Sequence, residues 1–179
     1  MTISATTQGL RMGVATSSSR PAVPFDGQVI SETDTDSLSV YNGTSWLGAQ
    51  LGAWTSYTPV LKGGATTVSK TVTYAKYVQI GKTVILQVAL SATSAGAASG
   101  TITISLPIAG LTANTSRVVG TFFIYDSGTA FYQGSAALLS TTEIYGFGYN
   151  SVDKMGTSVP AMTLASGDGV GISIMYEVA

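Results

Sequence analysis

The stretch KTVTYAKYVQIGKTVILQVALSAT, Lys70–Thr93, decides the fold class. Its second half places Val84, Leu86, Val88 and Leu90 on one face, the period of two expected of a half-buried strand. Gly81-Lys82 reads as a tight turn joining it to the first half. The alternation recurs in TITISLP with Ile102, Ile104 and Leu106, where Pro107 ends the strand. It recurs again in GVGISIMYEV, with Val170, Ile172, Ile174, Tyr176 and Val178 on one face and Gly171, Ser173, Met175 and Glu177 on the other. RVVGTFFIYD and TAFYQGSAALL are joined by Asp126-Ser127-Gly128, TEIYGFGYN is a glycine-rich strand, and VPAMTLA is a short one. No segment carries a helical period with caps. The expectation is an all-β chain whose residues 51–179 form a jelly-roll-like antiparallel β-sandwich.

Upstream the pattern is different. Residues 1–20 are rich in Thr, Ser and Gly, with Leu10, Met12 and Val14 as anchors, and read as an extended arm that orders only when docked. In residues 21–50, Pro21 and Pro24 keep the chain extended. GQVISET and SLSVY then read as strands separated by an Asp-rich turn, and Asn42-Gly43 signals a hairpin. The result is a small β-meander. A module of about thirty residues without disulfide or metal is below the size that folds alone. Its apolar positions, Val29, Ile30, Leu38, Val40, Tyr41 and Trp46, together with Leu10, must pack on other chain or across a symmetry axis. They are the candidate assembly residues.

Composition points the same way. Charged residues make up 9% of the chain, far below the roughly 25% of ordinary soluble domains. Hydrophobic residues are 45% and mean hydropathy is +0.34, yet no run approaches the ~18 apolar residues of a spanning helix, so no membrane insertion is expected. Such a chain hides surface against copies of itself or a partner. The net charge of −1 and the absence of a basic stripe give no reason to expect nucleic acid. Lys62, Lys70, Lys76 and Lys82 read as strand-edge lysines that deter sheet-to-sheet pairing. No basic region followed by an apolar core opens the chain, so no signal peptide is expected.

Histidine and cysteine are both absent. This removes Cys/His zinc sites, Ser-His-Asp and Cys-His catalysis, and the commonest general acid–base side chain. No cofactor and no enzymatic activity are expected. The acidic cluster Asp26, Glu32, Asp34 and Asp36 fails as an EF-hand. Counted from Asp34, the sixth and twelfth positions are Ser39 and Ser45, where Gly and Glu are needed. Asp residues that cap a turn explain it better. Asp126, Glu143, Asp153 and Asp168 sit near turns or strand ends, and Asp168 reads as a turn residue before the last strand. GDGVG at Gly167–Gly171 opens a strand instead of a helix, so it is no phosphate loop. The sequons at Asn42 and Asn114 matter only in a secretory pathway. Phe122, Phe123, Tyr125, Phe131, Tyr132, Tyr145, Phe147 and Tyr149 crowd the second half of the sandwich, and alternation puts about half of them outside its core. They line a subunit interface or a glycan-binding surface. For a ligand the candidates are Tyr125, Asp126, Tyr149 and Asn150.

The run Arg20-Pro21, Pro24-Phe25-Asp26-Gly27-Gln28, Glu32-Thr33-Asp34-Thr35-Asp36, Tyr41-Asn42-Gly43 and Trp46 resembles a short module near the N-termini of tailed-bacteriophage virion proteins: tail fibres, minor tail proteins and head fibre or decoration proteins. Trp54-Thr55, Tyr57-Thr58-Pro59, Tyr77, Ile80-Gly81-Lys82-Thr83-Val84, Ser105-Leu106-Pro107, Ala165-Ser166-Gly167-Asp168 and Tyr176-Glu177-Val178-Ala179 resemble the distal β-sandwich of the same proteins. The resemblance implies a structural protein of the virion, commonly a homotrimer, that contacts other tail or capsid proteins and displays its sandwich for host-surface adhesion, a cell-surface glycan being one partner. It brings no catalytic motif. This chain lacks a long shaft, so a capsid-decorating role without receptor binding is the alternative. A glycan-cleaving enzyme is a third reading, weakened by the missing histidine and the thin supply of acids.

Overall fold

A computed structural model describes residues 12–34, 37–48, 54–112, 115–148 and 153–178. The chain divides into two compact units, Met1–Gly52 and Ala53–Ala179. Both are all-β: a small N-terminal sheet is followed by a larger, curled antiparallel sandwich.

The first unit is a four-stranded sheet of β1 (Gly13–Ala15), β2 (Val29–Glu32), β3 (Ser37–Tyr41) and β4 (Trp46–Gly48), in that spatial order. The β2–β3 and β3–β4 pairs are antiparallel, as a meander requires. β1 comes from the segment read as an arm, and it pairs parallel to β2 with Val14 opposite Ser31. Two side chains explain the docking. The Asp34 carboxylate accepts the Ser17 backbone N–H at 2.9 and 3.1 Å and also takes the Ser17 hydroxyl. The Thr16 N–H donates to the Ser19 hydroxyl at 2.9 Å, which turns the chain just after β1. The Asn-Gly hairpin forms, with a four-residue loop. Tyr41 faces Trp46, and the Asn42 side-chain oxygen accepts the N–H groups of Thr44 and Ser45.

The second unit strings β5 (Thr55–Ser56), β6 (Leu61–Gly63), β7 (Thr66–Val68), β8 (Lys70–Ile80), β9 (Thr83–Ala92), β10 (Ile102–Ser105), β11 (Val118–Asp126), β12 (Ala130–Leu138), β13 (Glu143–Gly148) and β14 (Gly169–Glu177) into one sheet. Its order is β5-β8-β9-β14-β11-β12-β13-β10-β6-β7. The last strand lies between β9 and β11, so the C-terminal residues join the two halves of the sheet. The sheet curls around one core in which Val84, Leu86, Val88 and Leu90 meet Ile102, Ile104, Phe122, Ile124 and Ile144. All five inward residues of GVGISIMYEV are buried. Two tyrosine hydroxyls reach backbone oxygens: Tyr176 donates to Ile108 at 2.9 Å and Tyr57 to Ser105 at 3.3 Å. Burial pushes both phenols up, Tyr176 to about 12, so each stays a donor at neutral pH.

One expected strand is absent. VPAMTLA makes a single bridge, Ala161 to Gly156, and otherwise crosses the sandwich as a loop. Pro160 has no N–H to give, its carbonyl accepts the Gly156 N–H at 2.9 Å, and the Met162 N–H returns to the Gly156 carbonyl. These local bonds use the groups a strand would offer. Met155 and Leu164 still reach the core.

Beside the buried Ile30 the first unit holds an ion pair. Arg20 Nε lies 2.6 Å from Glu32 Oε1 and Nη2 lies 3.0 Å from Oε2, and the Glu32 side chain is 2% exposed. Removing one partner of such a pair strands a charge, whereas replacing both with apolar groups does not. Arg20→Met is therefore expected to speed hydrogen exchange of the β2 and β3 amides more than Arg20→Met with Glu32→Leu does. Equal effects of the two variants would contradict the pairing.

Candidate assembly and binding surfaces

The register of the small sheet sorts its apolar residues onto two faces. Ile30 lies opposite Ser39, Glu32 opposite Ser37, and Tyr41 opposite Trp46, so these share one face. Ile30, Glu32 and Ser39 are buried, and the Tyr41 and Trp46 rings meet at 5.5 Å. The Arg20 guanidinium approaches this face, and its bond to Glu32 raises its already high pKa. Hydrogen bonds from Ser17 hold the Asp34 carboxyl below its usual range. Two members of the acidic cluster thus have structural roles: Glu32 is paired and Asp34 clamps β1. Asp36 and Leu10 lie outside the described residues.

The opposite face is different. Val14, Val29, Leu38, Val40 and Leu47 line it in two cross-strand rows, Val14–Ser31–Leu38 and Val29–Val40–Leu47. Val14 is 59% and Leu47 49% exposed, Val29 is exposed too, and Leu38 and Val40 are half-buried. None of the side chains in these rows is charged. Of the candidate assembly residues, Val29, Leu38 and Val40 therefore point outward, while Ile30, Tyr41 and Trp46 serve the module's interior. Sequence reading missed Leu47 and left Val14 on the arm. Alternation from Trp46 signals the first; nothing local signals the parallel pairing that recruits the second.

In the sandwich Asp168 and Glu143 do separate structural jobs. Asp168 is buried, and its carboxylate accepts the Ser127 N–H at 2.9 Å and the Ala165 N–H at 2.7 Å. It ties the β11–β12 turn to the turn that precedes β14. Glu143 pairs with Lys62 at 2.6 Å, so this lysine is a cross-strand partner and not only an edge guard. Lys76 lies over the Tyr74 ring. Among the described residues no three His, Cys, Asp or Glu side chains come together as a metal site.

The aromatic crowd also divides by face. Phe122 is fully buried and Tyr132 packs against the core. Phe123, Tyr125 and Phe131 stand on the outer surface. Tyr125 and Phe131 face each other across β11 and β12, and Phe123 stacks on Phe131 with ring centroids 5.5 Å apart and planes at 19°. Phe131 is 61% exposed. Beside them a shallow depression of about 430 Å³ is lined by Thr121, Gln133, Gly134 and Ser135. Tyr125 is exposed at the end of β11 next to Asp126, while Tyr149 and Asn150 lie outside the described residues. Sequence reading singled out none of the lining residues, although alternation along AFYQGSA places Phe131, Gln133 and Ser135 on one face.

Compared with known protein families, curated proteins and solved structures, the chain has no match.

Asp168→Ala leaves two part-buried N–H groups without their acceptor. It is expected to lower the unfolding free energy of the sandwich by about 2–4 kcal/mol in urea denaturation, and Asp168→Asn, which keeps one acceptor oxygen, by less. A loss below about 1 kcal/mol for the alanine variant would contradict the clamp.

Proposed function

We propose that this chain is a structural protein of a tailed-bacteriophage virion. Its N-terminal sheet assembles it as a homotrimer and attaches it to other virion proteins, and its sandwich is displayed for adhesion to the host surface. The observation that carries this reading is the uncharged apolar face of Val14, Val29, Leu38, Val40 and Leu47. Among the described residues of its unit the buried side chains, Ile30, Glu32 and Ser39, all lie on the opposite face. Apolar faces of this kind mark interaction sites in soluble proteins. The resemblance of the Arg20–Trp46 run to virion modules supplies the particle. The buried positions of Glu32 and Asp168, each held by structural bonds, fit a protein whose acids build and do not catalyse.

Decoration of the capsid without receptor binding is the second reading, because an apolar face that assembles the chain serves that role equally. Imaging the intact particle with this chain labelled separates the two. The adhesion reading expects density at the tail tip or on a projecting fibre, and particles lacking the chain should adsorb to host cells poorly. Density confined to the head shell, with adsorption unchanged on its loss, would leave only decoration.

A further inference from the structure

From the outer face of the sandwich we infer a binding site for a neutral saccharide, in the depression between Thr121, Gln133 and Ser135, with the stacked Phe123 and Phe131 as its platform. The inference rests on the adhesion reading and gives it a location and a ligand class. Four observations carry it.

The platform is built and held. Phe123 lies flat across the neighbouring strand because β14 has glycine there: a Cβ on Gly171 would sit 2.1 Å from Phe123 Cε1 and Cζ. Phe131 stacks almost parallel on this fixed ring and keeps most of its surface in water. An exposed ring with a fixed partner presents a flat apolar plane at little entropic cost, which suits the C–H face of a pyranose.

Polar groups stand next to that plane. Thr121 faces Ser135 and Phe123 faces Gln133 across the β11–β12 ladder, so the two hydroxyls form a polar row next to the Phe123–Gln133 pair. None of these three polar side chains is hydrogen-bonded within the described residues. Each can both donate and accept, as the hydroxyls of a sugar do.

The described lining residues carry no charge, so a neutral ligand meets no desolvated ion among them. The depression has the volume of a small-molecule site. A second copy of the chain is the rival occupant. A dry protein interface over this row would have to supply an aligned partner for every one of these free polar groups or leave them unsatisfied. A polyol supplies donors and acceptors along its whole rim.

The test is saturation-transfer NMR on the full chain with the methyl glycosides of glucose, galactose, mannose and N-acetylglucosamine at millimolar concentration. At least one glycoside is expected to receive saturation, and the signal should fall at least tenfold in Phe131→Ala and in Gln133→Ala, with thermal unfolding unchanged in both. Silence from all four glycosides overturns the site, as does a signal that survives both substitutions. A drop in solution mass in either variant also overturns it, because the face would then be a contact between copies. Failure here is distinguishable from failure of the adhesion reading. Particles carrying Gln133→Ala that adsorb normally, while particles lacking the chain do not, remove the site and leave the adhesin.

Discussion

A sheet has two faces, and a small unit without disulfide or metal has little chain with which to cover both of them. That constraint governs the first unit. The face of Ile30, Glu32, Ser39, Tyr41 and Trp46 combines a buried isoleucine and a ring pair with an ion pair, because Arg20 reaches in to meet Glu32. A fork-to-fork arginine–carboxylate bond fixes geometry as well as charge, and it anchors the Pro-rich connection that precedes β2. The other face is left apolar and open. In water such a face is unfavourable at about 25 cal/mol per Å², so covering it favours association.

The sandwich solves the opposite problem. Its core is rich, its ladder is almost unbroken from β5 to β7, and its last strand locks the middle of the sheet. The stable unit therefore has outer surface to spare. The proposed saccharide site uses side chains on strands instead of loops: glycine at position 171 leaves room for the Phe123 ring, on which Phe131 stacks. Asp168 adds to this rigidity by fixing the turn at the end of the same hairpin. Assembly through one unit and presentation through the other is the division of labour that the proposed role needs.

Much of this was legible in the sequence. Strict alternation in TVILQVALSAT and GVGISIMYEV named the buried face of β9 and β14 residue by residue, because a half-buried strand allows no other pattern. The Gly81-Lys82 turn, the Asp126-Ser127-Gly128 hairpin connection and the turn role of Asp168 are visible in local chemistry. What stayed hidden was long-range. The parallel docking of β1 depends on Asp34 reaching back to Ser17, and the buried state of Glu32 depends on Arg20, contacts between residues twelve or more positions apart. VPAMTLA failed as a strand because its polar backbone groups found partners nearby. The candidate ligand residues were sought at loop ends, where Tyr125 and Asp126 lie. The polar row beside the stacked rings emerges only when β11 and β12 are set in register.

The central claim is that the open face of the N-terminal sheet brings copies of the chain together. The most direct measurement is the solution mass of the full chain at micromolar concentration, beside that of Val40→Lys with Leu47→Lys, which places two charges on that face and leaves the Arg20–Glu32 side untouched. The account predicts three chains per particle for the natural sequence and a single chain for the variant. A natural chain that sediments as a monomer, or a variant that keeps the full mass, would contradict it.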